Sequence, residues 1–129
     1  MNLLLVMIGG FFGSISRYTL GEWLYMENGF PIGTLSVNLI GCLFLGWFTA
    51  FIMKRKKIRL EIPLLIGTGF TGSFTTFSTF SVETVQLIEQ QMMLTAITYI
   101  LISVFAGIGF AYTGYKIAGY KKKKVGGPQ

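Results

Sequence analysis

Between Thr71 and Ser81 the chain reads TGSFTTFSTFS, a run of hydroxyl side chains interleaved with Phe74, Phe77 and Phe80. A hydroxyl donates and accepts hydrogen bonds without carrying charge. An aromatic ring has a negative face and a positive edge, so a ring turned edge-on touches an anion without offering it a formal charge. Phe77 and Phe80 are three residues apart and share one face of a helix. Packing or lipid contact is the ordinary role of phenylalanine. The interleaved Thr76, Ser78, Thr79 and Ser81 would, however, waste polar groups in lipid. Such a cluster suits replacing the hydration shell of a small ion.

Other polar residues fall in apolar surroundings. Asn38 lies early in GTLSVNLIGCLFLG, with Thr34 four residues before it and Gly41 three after, all on one helical face. Its amide either makes an interhelical hydrogen bond, worth about 1 kcal/mol in membranes, or donates to a passing anion. Arg17 either reaches outward to headgroups, pairs with Glu22 or another acid, or lines an anion vestibule. Tyr99 and Ser103 are four apart, Gly107 continues their stripe, and their hydroxyls serve either an ion or a neighbouring helix.

The elements that must hold these residues are membrane spans. The chain has 129 residues, 52% of them hydrophobic and 12% charged, where a soluble domain carries about 25% charged. Runs of about 20 apolar residues are expected at Leu3–Leu24, Gly33–Met53, Ile62–Glu89 and Leu94–Tyr115. The first resembles a signal peptide but lacks a basic start and a small-x-small cleavage site, so it reads as a retained span. The third is too long for one upright helix, and GTGFTG precedes its centre near Thr76. Glycine with clustered hydroxyls predicts an interrupted helix near the midplane, with a simple kink as the alternative. Breaks of this kind form ion sites, because exposed carbonyls favour cations and helix N-termini favour anions. Gly9-x-x-x-Gly13 in the first span and Gly107, Gly109 and Gly114 in the last predict close helix packing.

Four spans place ten of the eleven Lys and Arg residues on one side, in KRKKIR, at Lys116 and in KKKK. By the positive-inside rule both termini are cytoplasmic. The expected organisation is a membrane subunit over residues 1–120 and a basic cytoplasmic tail over 121–129. The cations flank apolar spans, which fits membrane lipid and disfavours nucleic acid. There is no His, and the single Cys42 allows no intramolecular disulfide. No plausible catalytic pair is present, so an enzyme is not expected.

In sequence order, GGFFGSISRY, GTLSVNLIG and GFTGSFTTFSTFSVE resemble motifs of the Fluc/CrcB family of small fluoride channels, and the likeness extends to the lysine tail. The resemblance implies an all-α membrane protein with four transmembrane helices, the third broken near the midplane, paired as an antiparallel, inverted-topology dimer. It implies passive, selective fluoride export that keeps cytoplasmic fluoride low. Asn38 would be the pore amide, and Phe77 and Phe80 the rings whose edges meet fluoride. Ser78, Thr79, Thr34, Tyr99 and Ser103 would form the polar track, with Arg17 and Glu83 at the vestibule. Backbone carbonyls of Gly72 and Thr75 would hold a structural Na+ at the dimer axis.

Two features depart from the pattern. Gly107 stands where some relatives continue the fourth-span stripe with a hydroxyl. The strong Lys/Arg bias also suits a subunit of fixed orientation, so the partner is either a second copy or an oppositely oriented homologous subunit. Competing readings are a small multidrug-resistance-like four-helix exporter and a non-transporting membrane assembly subunit. The first would want a carboxylate deep in the first span, where this chain has Arg17. The second leaves the hydroxyl and aromatic cluster without a purpose.

Overall fold

The structure, a computed structural model, describes residues 2–25, 29–55 and 57–119. The expected tail over 121–129 lies outside these. Every regular element among the described residues is helical: α1 (Asn2–Trp23), α2 (Ile32–Met53), a π-helical segment (Pro63–Thr71), a short α3 (Gly72–Phe74), α4 (Ser78–Glu89) and α5 (Met93–Gly119). α1, α2 and α5 hold 22, 22 and 27 residues and are apolar enough to cross a bilayer. At about 1.5 Å per residue each spans the roughly 30 Å hydrocarbon core. The protein is an all-helical membrane protein. Its outward surface is correspondingly apolar, with Leu3, Phe11, Leu94, Phe105 and Ile108 all exposed.

The helices pair as α1 against the π segment and α3, and α2 against α5. Both contacts are glycine contacts. A Cβ on Gly69 would lie 2.7 Å from the Val6 carbonyl, and one on Gly9 would lie 2.8 Å from the Phe70 amide nitrogen. On the other pair, a Cβ on Gly46 would strike the Ala111 carbonyl, and one on Gly114 would strike the Leu43 carbonyl. Close approach drives association where lipid is as apolar as the helix surface. Gly114 is thus a packing residue as expected, whereas nothing lies within 4 Å of a Cβ on Gly109. Gly114→Val should therefore cost several kcal/mol of overpacking and give aggregated protein on gel filtration in detergent. Gly109→Val should elute as the unaltered chain does; equal behaviour of the two would contradict this packing.

Two aromatic groups fill the interior. Phe44 stacks on Phe48 at 5.9 Å and meets Phe70 edge-on at 6.3 Å, while Phe70 stacks on Phe74 at 5.7 Å. At the other end Tyr99 lies between Phe30 and Phe80, with centroids at 5.7 and 5.0 Å. The Lys54 ammonium donates to the Ala118 carbonyl at 2.6 Å. A cation there satisfies an orphan carbonyl at the negative end of α5. It also brings the end of α2 and the end of α5 to the same side of the molecule. Arg55 lies over Phe51 and Lys116 over Tyr112, so the charged heads sit on aromatic faces at that side.

Candidate functional site

The third expected span is interrupted where its hydroxyls cluster. From Pro63 the chain winds as a π-helix, in which the Thr71 hydroxyl donates to the Ile66 carbonyl at 2.8 Å and the Gly72 amide reaches back to Gly67. One α turn follows, and Thr75 then turns to extended backbone, φ −78° and ψ 157°. The helix resumes at Ser78. A Cβ on Gly41 would collide with the Thr75 side-chain methyl, so the break lies against the middle of α2.

Freed backbone groups in an apolar span cost several kcal/mol each unless they are re-satisfied. Asn38 does this with both ends of its amide. Its Nδ2 donates to the Thr76 carbonyl at 2.9 Å, and its Oδ1 accepts from the Thr76 amide at 2.8 Å. Asn38 was expected to choose between an interhelical bond and an ion; here it makes the bond, to the backbone of the break itself. The Thr76 amide is the group that would otherwise close the next turn onto the Gly72 carbonyl. Its diversion to Asn38 leaves the Gly72 carbonyl, like that of extended Thr75, outside the α ladder.

Beyond the break, the Thr76 hydroxyl lies 3.2 Å from the Ser78 hydroxyl, donates to Thr79 Oγ1 at 3.1 Å and accepts from the Thr79 amide at 3.2 Å. This triad, joined through the Thr76 hydroxyl, crowns the N-terminus of α4, the end of a helix that favours negative charge. Phe77 and Phe80 flank it with centroids 5.9 Å apart and planes tilted by 36°. Phe77 is 80% exposed, whereas Phe80 packs on Tyr99. Four expected site residues, Phe77, Ser78, Thr79 and Phe80, are therefore gathered around the break.

A cavity of about 620 Å³ opens beside this cluster between α1, α2 and α4. Arg17, Glu22, Thr34, Thr76, Thr79 and Glu83 are among its walls. Arg17 lines it without pairing to an acid among the described residues. Thr34 and Tyr99 were expected on the polar track, with bonding to a neighbouring helix as the alternative for Tyr99. Each donates to Glu83, Thr34 to Oε1 at 2.6 Å and Tyr99 to Oε2 at 2.8 Å. Ser103 Oγ is buried with no hydrogen-bond partner among the described residues, and a Cβ on Gly107 would meet Cys42 Sγ at 3.6 Å. The signal for this carboxylate clamp was an acid inside an apolar span, expensive unless bonded; its partners on two other helices carried no sequence mark.

The family described as CrcB-like protein, Camphor Resistance (CrcB), matches residues 4–115. The chain belongs to the CrcB family. The chain is 51% identical over 123 residues to the fluoride-specific ion channel FluC of Oceanobacillus iheyensis, covering 95% of each. It is 43% identical over 123 residues to a fluoride-specific ion channel FluC 1 of Bacillus cereus, covering 94% of this chain and 90% of the relative. A FluC 2 of Listeria innocua shares 44% identity over 108 residues, covering 84% and 83%. This CrcB chain thus keeps its likeness to named fluoride channels along almost its whole length.

Proposed function

We propose that this chain is one subunit of a fluoride-selective channel that lets fluoride leave the cell passively. The observation that carries the reading is the helix break braced by Asn38. It sets a neutral hydroxyl triad, two phenylalanines and a helix N-terminus beside a cavity containing Arg17. Family membership and the names of the relatives support it. The break lies near the bilayer midplane, because α2 is crossed at its middle.

Fluoride is small and strongly hydrated, so its path must supply donors in succession without a deep trap. Arg17 draws the anion into the cavity. The hydroxyls of Thr76, Ser78 and Thr79 and the edges of Phe77 and Phe80 replace water along α4, and Asn38, Thr34, Tyr99 and Ser103 complete the track. The membrane potential and the fluoride gradient drive export. The chain is a channel subunit and not an enzyme. An exporter of the multidrug-resistance type is disfavoured because α1 has no carboxylate before Glu22.

Phe77 at 80% exposure and the exposed Ser78 and Thr79 call for a covering surface. That surface is an inverted second subunit, making an antiparallel dimer. The one-sided Lys/Arg distribution favours a homologous partner of opposite fixed orientation over a second copy. By the same rule the end where Lys54 meets Ala118 is cytoplasmic. The Gly72 and Thr75 carbonyls fit a structural Na+ on the dimer axis, since both stand outside the helix ladder and the end of a helix favours a cation. There the ion would offset the negative end of α3 and hold two subunits together.

Efflux from liposomes, read with a fluoride electrode and a chloride electrode, tests the reading. Fluoride should leave and chloride stay when the chain is joined with an inverted homologous subunit. No fluoride movement in any combination would overturn the channel reading, and robust efflux from the chain alone would overturn the obligate partner.

A further inference from the structure

Where α2 and α5 meet, the surface carries a slot of about 320 Å³ that shares no lining residue with the cavity at the break. Its walls are Ile40, Leu43, Phe44 and Trp47 on α2 and Gly114 and Ile117 on α5. Apart from the Trp47 indole N–H, every side chain there is apolar. A Cβ on Gly114 would strike the Leu43 carbonyl, so the bare glycine lets the two helices close on each other there. Ile40, Leu43, Trp47 and Lys54 follow at spacings of three, four and seven, so they share one face of α2 and the slot leads toward Lys54. Trp47 also stacks on Phe51 at 5.3 Å, and the Arg55 guanidinium lies 4.4 Å over Phe51. An apolar slot thus runs into two cations at the end of the same helix. Lys54 uses one of its three ammonium protons on the Ala118 carbonyl. Arg55 keeps N–H donors beyond its ring contact. Neither cation pairs with an acid among the described residues.

We propose that this slot binds an anionic phospholipid, with one acyl chain along Ile40, Leu43 and Trp47 and the headgroup phosphate held by Lys54 and Arg55. The slot covers seven residues of helix from Ile40 to Trp47, about 10 Å, and Lys54 lies about 10 Å further on. A lipid whose phosphate sits at the level of the two cations has that reach and that order of apolar and charged parts. Free phosphate would meet the cations and leave the slot empty. A zwitterionic lipid would fill the slot, but its own cation offsets what Lys54 and Arg55 gain from its phosphate. The site is independent of which ion passes the break.

Quenching of tryptophan fluorescence by brominated lipid tests the site. The chain has two tryptophans, Trp23 and Trp47, and Trp23 is 81% exposed, so in Trp23→Phe the slot residue alone reports. In phosphatidylcholine vesicles, half-maximal quenching of Trp47 should need at least about fivefold less brominated phosphatidylglycerol than brominated phosphatidylcholine. Replacing both cations, Lys54→Gln with Arg55→Gln, should abolish that difference. Ile117→Phe enlarges an exposed wall of the slot and leaves both cations in place, and it should abolish the difference too. A preference that survives Ile117→Phe would be attraction to the charged surface in general and would overturn the site. Equal quenching by the two lipids in Trp23→Phe would overturn the choice of an anionic lipid. Quenching by neither would mean that protein covers the slot, and would overturn lipid binding there altogether.

Discussion

Asn38→Asp is expected to reduce fluoride efflux by at least about a hundredfold. The carboxylate could still accept the Thr76 amide, but it could not donate to the Thr76 carbonyl, which Asn38 Nδ2 now reaches at 2.9 Å. An unsatisfied buried acceptor costs about 1–3 kcal/mol. A new negative charge about 4 Å from a passing anion adds about 4 kcal/mol of repulsion at an effective dielectric of 20. About 1.4 kcal/mol is a factor of ten in rate, so the charge alone exceeds the stated drop. Gel filtration separates loss of conduction from loss of fold. An aspartate variant that elutes normally and conducts within twofold of the unaltered protein would show that this amide is not in the path.

Phe77→Ile is the second large effect. Phe77 is 80% exposed in the subunit, so shortening it removes little from the subunit's own core. Isoleucine has no ring edge, and flux should fall at least about tenfold while assembly persists. Phe80→Ile should lower flux as well, but with a cost in stability, because Phe80 also packs on Tyr99 at 5.0 Å. Such an aromatic pair is worth about 0.5–1.5 kcal/mol beyond its area. Thermal unfolding in detergent should therefore separate the two variants, Phe80→Ile melting lower. Unchanged flux in Phe77→Ile would remove the ring edge from the mechanism.

How much of this was legible in the sequence follows from how local each feature is. The long helices were visible as apolar runs, and Leu94–Tyr115 falls inside α5, which begins one residue earlier and ends four later. The interruption near Thr76 was visible because glycine and hydroxyls cluster there, and the backbone is non-helical from Thr75 to Phe77. The nine-residue π segment before it was not legible. Its cause lies in a hydroxyl-to-carbonyl bond five residues long and in α1 pressing on Gly69. Asn38, Thr34 and Tyr99 were each identifiable as polar groups in apolar spans. Their partners were not, since Thr76 is 38 residues from Asn38 and Glu83 is 49 from Thr34. Helical spacing says which residues share a face, and says nothing about which face of another helix they meet. The glycines divide in the same way: Gly114 packs against α2 while Gly109 meets nothing, though both look alike in sequence.

The central claim is that a passive, fluoride-selective path crosses the membrane along the break. The reversal potential of the reconstituted assembly in a planar bilayer tests it most directly, with fluoride graded across the membrane and chloride equal on both sides. A channel selective for fluoride should reverse at the fluoride equilibrium potential, shifting by about 59 mV for each tenfold change in the fluoride gradient. A reversal potential that ignores the fluoride gradient, or follows chloride instead, would contradict the claim.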